Sequence, residues 1–142
     1  MDTNEIVMPG IHLKKLIAQK YEPILAEYDL RPVEIDILVF LKKTDSDTAR
    51  DIIQCKHLSK AHVSKSIDNL KSKGFISLVE DEADHRIMHI SLTDKSDEVI
   101  SMAREVYEEC IEIMTRGVDR EDIEVVKKVM LKVNENIIEA LD

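Results

Sequence analysis

The chain has no tryptophan, and among its 142 residues there are only two phenylalanines, three tyrosines, three glycines, three prolines and two cysteines. So little aromatic residue and glycine, beside 35% charged residues, points to a helical protein. Two cysteines cannot build a disulfide framework, and Cys55 and Cys110 lack the spacing of a metal site, so the pair suits a reducing cytosol. No apolar run approaches the roughly 18–20 residues that cross a bilayer, which excludes a helical membrane span. Met1-Asp2-Thr3-Asn4-Glu5 has no positive charge ahead of an apolar run. Export is therefore not expected, and the expected location is cytoplasmic. Also missing are GxSxG, a P-loop, HExxH and any glycine-rich nucleotide loop. Serine, histidine and aspartate occur at spacings that do not distinguish a triad from chance. Neither an enzyme nor a cofactor is expected. The length nevertheless allows one domain, 1–142, to bury a core without disulfides or metals.

Acidic charge dominates: the formal net charge is −9. Lys56, Lys60, Lys65, Lys71 and Lys73 face one acid, Asp68, so residues 56–73 form a basic island of +4. Because exposed charges are screened beyond about 8–10 Å at physiological salt, such an island implies a local polyanion site. The acidity elsewhere excludes indiscriminate coating of nucleic acid and confines any contact to one face.

Apolar spacing supplies the elements. Pro9 and Gly10 precede a stripe of Leu13, Leu16, Ile17, Tyr21, Ile24, Leu25 and Tyr28, an amphipathic helix in which Pro23 predicts a kink or break near Lys20 to Glu22. Pro32 suits the first position of a second helix running to about Lys43, too apolar to be anything but buried. Thr48 with Asp51 resembles a capping box for a short third helix ending near Cys55. Ser59 is a good N-cap for a fourth, with Val63, Ile67 and Leu70 on its inner face and Gly74 as its stop. Phe75 to Glu80 and Ile87 to Leu92 read as a hairpin joined by Asp81 to Arg86. A long helix from Thr93 or Asp94 follows, with Cys110 on its apolar stripe. Gly117 ends it, and Asp119 opens a last helix with near-heptad Ile123, Val126, Met130, Val133, Ile137 and Leu141, suited to packing on another helix.

A helix followed by a hairpin is the geometry of a winged helix. The exposed set Ser59, Lys60, Ala61, His62, Ser64 and Lys65 fits the major groove, which is about 12 Å wide and displays distinct donors and acceptors. Ser59 is the candidate phosphate clamp at the helix N-terminus, and His62 and Lys65 are candidates for base contact. Asp84 and Arg86 share a face near the hairpin tip, where an arginine can enter a narrow minor groove.

Leu30-Arg31-Pro32, Ala49-Arg50-Asp51-Ile52, Leu58 to Lys65, Leu70-Lys71-Ser72-Lys73-Gly74-Phe75-Ile76, and Asp84-His85-Arg86 followed by Ile90-Ser91-Leu92-Thr93 together resemble the MarR-type transcriptional regulators. The resemblance implies a mainly α protein with a small β-hairpin wing. A winged helix-turn-helix over about 30–95 would be flanked by dimerisation helices at 9–29 and 96–142. It further implies a cytoplasmic homodimeric repressor that binds a pseudo-palindromic double-stranded operator and answers to a small ligand or stress signal. By position, Ser59, Lys60, Ala61, His62, Ser64, Lys65 and Lys73 would contact DNA, with Arg86 in the minor groove oriented by Asp84. Arg31 stands where the family commonly has threonine, which removes the usual N-cap of the second helix. Lys65 stands where arginine is common, and Ser96 where glycine is frequent.

Signal sites are less legible. Zinc-responsive members carry a histidine pair on the fifth helix, yet residues 94–116 hold no histidine, and no metal is expected. Cys110 reads as a small core residue, whereas Lys56 and His57 beside Cys55 keep a redox role open. A pocket near His12, Tyr21 or Tyr107 would suit an effector. The competing reading is a winged-helix protein–protein interaction module with incidental DNA affinity, which would lack a steep salt dependence.

Overall fold

A computed structural model describes residues 3–141, with side chains over 8–141. Among these residues the order is α1 (Thr3–Tyr28), α2 (Pro32–Lys43), α3 (Ala49–Lys56), α4 (Lys60–Ser72), β1 (Ile76–Glu80), β2 (Met88–Leu92), α5 (Asp94–Thr115) and α6 (Arg120–Leu141). The fold is mainly α with a two-stranded antiparallel wing, as the resemblance implies.

The first helix corrects the sequence reading. It runs unbroken through Pro9, Gly10 and Pro23, so it neither begins after Gly10 nor breaks near Lys20 to Glu22. Proline removes one helical hydrogen bond and crowds the preceding turn. Against that cost, Tyr21 and Ile24 on either side of Pro23 are each only 2% exposed, and their burial carries the helix across it.

The other boundaries follow local chemistry. In α3, Thr48 Oγ1 accepts the Asp51 N–H at 3.2 Å while Asp51 Oδ2 accepts the Thr48 N–H at 3.2 Å. In α4, Ser59 Oγ accepts the His62 N–H at 3.2 Å. At its other end Phe75 N–H donates to Leu70 O and Gly74 N–H to Lys71 O, both at 3.0 Å. This Schellman closure needs the left-handed conformation that Gly74 supplies at φ +78°. Helix α2 starts at Pro32 without a side-chain cap from Arg31. Glu34 stands in, its carboxylate accepting the Arg31 backbone N–H at 2.9 Å and its guanidinium at 2.6 Å. The same fully buried carboxylate accepts Asn69 Nδ2 at 2.8 Å, which fastens α4 to α2. A buried charge persists only when paired and hydrogen-bonded in this way.

The chain divides into two compact units between Glu108 and Glu109. The first holds the core: Ile24 and Leu30 join Ile35, Ile37 and Leu38 of α2, Ile52 of α3, Val63 and Leu70 of α4, Phe75, Ile90 and Val99. Pairing of Ile76 with Leu92 through Glu80 with Met88 turns Ile90 inward and leaves Val79 and Met88 at the surface. Thr48 also bridges to His89, laying the α2–α3 connection along the outer edge of β2. In the second unit, Gly117 at φ +77° ends α5, and Asp119 O accepts the Ile123 N–H at 3.1 Å to open α6. No residue of α6 is buried.

Candidate nucleic-acid interface

Helix α4 divides its residues by face. Val63, Ser66, Ile67 and Leu70 are buried, while Ser59, Lys60, Ala61, His62, Ser64, Lys65 and Asp68 are exposed. The first-turn N–H groups of a helix lack intrahelical acceptors, so its N-terminus favours an anion. Ser59 satisfies one of them, that of His62, and its hydroxyl proton stays able to donate to a phosphate. Lysines 60 and 65 add positive charge on the same outer surface.

The wing is built around two aspartates. Asp81 Oδ1 accepts the N–H groups of Ala83 and Asp84, each at 2.9 Å, and fixes the turn. Asp84 then holds Arg86 by three bonds: Nε to Oδ1 at 3.0 Å, Nη2 to Oδ2 at 3.0 Å, and backbone N–H to Oδ1 at 3.1 Å. The guanidinium is thus oriented by a forked pair although its side chain is 90% exposed. The pairing holds the Asp84 carboxyl below its ordinary range and raises the Arg86 pKa further. Hydrogen bonding from His89, followed by the two turn amides, brings Asp81 down to about 2. The wing thus presents a preformed, outward cation.

Lys73 lies apart from this group. Its ammonium donates to the Asp29 backbone carbonyl and to Asp29 Oδ2, the latter at 2.9 Å, and so ties the α1–α2 turn to the end of α4. A helix rises about 1.5 Å per residue, which puts Lys73 roughly 20 Å from Ser59. Lys71, by contrast, is exposed.

Arg50 and Gln54 were not singled out from the sequence as site residues. Both are exposed on α3, and they line a surface cavity of about 460 Å³ with Arg86, Ile87 and Met88. Their i, i+4 spacing on one helical face was the available signal. Of the cysteines, Cys55 is exposed and Cys110 buried. Among the described residues no cluster of three histidine, cysteine, aspartate or glutamate side chains could hold a metal. No helix among them is long and apolar enough to cross a membrane.

Comparison with known proteins places this geometry. The HTH-type transcriptional regulator BilQ of Clostridioides difficile (strain CD3) is 23% identical over 94 residues, covering 63% of this chain. The match spans 64% of that relative's length, under two thirds of it. A MarR protein from Peptoclostridium difficile DA00132 superposes with a TM-score of 0.82 at 23% identity, over 96% of this chain and 89% of that one. Streptococcus pneumoniae FabT in complex with DNA gives 0.78 at 22% identity, over 99% of this chain and 100% of that one. At these identities the likeness establishes the fold, that of the MarR-type regulators. The family described as Transcriptional regulator SarA/Rot matches residues 19–102, more than half of the chain. The protein therefore belongs to the SarA/Rot family of transcriptional regulators.

Proposed function

We propose that the protein is a homodimeric repressor that reads a pseudo-palindromic operator with the N-terminal half of α4 in the major groove and Arg86 in the minor groove. One observation carries this reading: a capped helix with an exposed Ser59-to-Lys65 face and a forked Asp84–Arg86 pair occur on the same compact unit. Arg50 and Gln54 beside the wing extend the contact surface. FabT, which shares the fold, was crystallised with DNA, in keeping with the same use here.

Dimerisation is supported by α6, where Val125, Val126, Val129, Met130, Leu131, Val133, Ile137, Ile138 and Leu141 are all exposed. That much apolar surface on one helix calls for a partner, and a second copy of this chain is the commonest one. Two reading units on a two-fold axis would meet half-sites about 34 Å apart. A shift of a few ångström in that separation then releases DNA, which is how an effector would act. A cavity of about 320 Å³ would suit such an effector, lined by apolar Val39, Ile100 and Tyr107, by Lys43 and Arg104, and by Lys42 paired with Asp97. Tyr21 and Tyr107 also line a second cavity of about 300 Å³.

The test is fluorescence anisotropy with the duplex upstream of the protein's own gene and a scrambled duplex, at two salt concentrations. Selective binding that weakens steeply with salt, two subunits per site, supports the reading. Binding by Lys65→Ala and Arg86→Ala proteins that equals wild type would sink the residue assignment.

A further inference from the structure

His89 is gripped at both ring nitrogens. Nδ1 lies 2.9 Å from Asp47 Oδ1, and Nε2 lies 2.9 Å from Asp81 Oδ2. The two carboxylates come from different places. Asp47 sits in the α2–α3 connection, where its carbonyl accepts the Ile90 N–H at 2.7 Å and its neighbour Thr48 bridges to His89. Asp81 opens the wing turn, and its other oxygen holds the amides of Ala83 and Asp84. Asp84 in turn carries Arg86. A continuous line of contacts therefore runs from the α2–α3 connection through one imidazole to the wing arginine, and His89 is in none of the DNA-facing roles assigned above.

The donor count decides what this ring must be. Neutral imidazole has one N–H and one lone pair, whereas imidazolium donates from both nitrogens. Both partners are carboxylates, which only accept when ionised. Neutral His89 would aim a lone pair at a carboxylate oxygen, so the protonated ring is the form that satisfies both contacts. The charged groups facing the ring are Asp47 from the connection and Asp81 from the turn. Asp84 faces Asp81 from within that turn, and the cross-strand neighbour on β1 is apolar Val79. The other wing histidine, His85, pairs separately with Glu80 at 3.1 Å.

We propose that His89 is a positioning residue for the wing: as imidazolium it fastens the turn that carries Arg86 to the α2–α3 connection, and its deprotonation loosens that turn, so that DNA affinity falls as pH rises. The affinity arm of this inference rests on the DNA-binding reading above; the fastening itself does not. Bonding to Asp81, then to Asp47, raises the pKa of His89 above its ordinary 6.5. A raised folded-state value means that the clamp is complete below about 6.5 and is lost as pH rises through the raised value. Asp81, at about 2, stays ionised throughout that window.

The experiment uses the full chain, wild type beside His89→Gln, from about pH 5.5 to about 9, the range in which imidazole titrates. DNA affinity is read by anisotropy. Protection of the Ala83 and Asp84 amides, corrected for intrinsic exchange, is read by NMR, with His89 followed through its ring resonances. Since the chain holds four other histidines, the informative quantity is the difference between the two proteins. Across the range wild-type affinity is expected to fall about two- to fivefold more than that of His89→Gln, the scale of a partly exposed ion pair. Protection of the two amides should fall in step with the ring titration. Asp47→Asn should flatten both profiles in the same way, which keeps the test available if His89→Gln folds poorly. Wild-type and variant profiles that superimpose in both readouts overturn the inference. If wild type binds no duplex at any pH, the DNA-binding reading fails. The clamp is then decided on protection alone: a fall absent from the variant upholds the fastening, and unchanged protection overturns it.

Discussion

Helices α4 and α6 carry the same kind of apolar stripe, with steps of three and four residues. In α4, Val63, Ile67 and Leu70 are 0%, 6% and 0% exposed, and the opposite face holds lysine, serine and histidine. In α6, Val126, Met130, Val133 and Ile137 are 58%, 54%, 37% and 54% exposed. Periodicity thus marks a face that requires cover without saying which chain supplies it. The stripe of α4 is covered by its own unit, which turns the polar face outward, the proposed reading surface. For α6, the proposed cover is a second copy.

Substitutions can break this contrast. Leu70→Ala should have the largest effect on the isolated fold, about 2–5 kcal/mol in urea unfolding, because it opens a cavity in a closed core. Val126→Glu combined with Met130→Glu should leave far-UV circular dichroism unchanged but weaken self-association about a hundredfold or more in sedimentation, taking DNA binding with it. Should that pair leave the oligomeric state untouched, α6 is not the dimer face. Within the reading unit, Arg86→Ala should weaken operator binding about tenfold, since the arginine is pre-aimed by Asp84. Lys65→Ala separates two roles. A phosphate contact lowers the salt slope by about 1 with sequence preference intact, whereas a base contact relaxes preference at one position. Smallest is the acid limb of the wing. Asp81 is depressed from 3.8 to about 2, so its support of the turn is complete above about pH 3.8 and is lost as pH falls through about 2. Ala83 and Asp84 amide exchange would report that loss.

The parts of the fold legible in the chain were those whose chemistry is local. Thr48 with Asp51, Ser59 three residues before His62, and Gly74 after Lys73 each state a helix end within a few residues, and the structure has those ends. Asp84 and Arg86 were readable for the same reason, being two residues apart. What stayed hidden depended on distant partners. Pro23 argued for a break, and the burial of Tyr21 and Ile24 overrode it. Lys73 reads as one cation of the island, and no local pattern showed that Asp29, 44 positions away in sequence, also holds it. Arg31 signalled a missing side-chain cap, and the structure has none there; the hidden part was the tie of Glu34, which accepts the Arg31 N–H, to Asn69, 35 positions away.

His89 shows where the boundary lies. By itself the sequence determined element type, helix ends, the basic island in an acidic chain and the arginine on the wing, because each follows from side chains within one turn or from a period along one element. It also contained a histidine in a strand and two aspartates in loops, which carry no message singly. Only the tertiary structure laid the α2–α3 connection against β2 and set one imidazole between Asp47, 42 positions away, and Asp81, 8 positions away. Hydrogen bonds act over about 3 Å, so the chemistry of such a group is settled by which loops meet. That meeting is a product of the packed core beneath them.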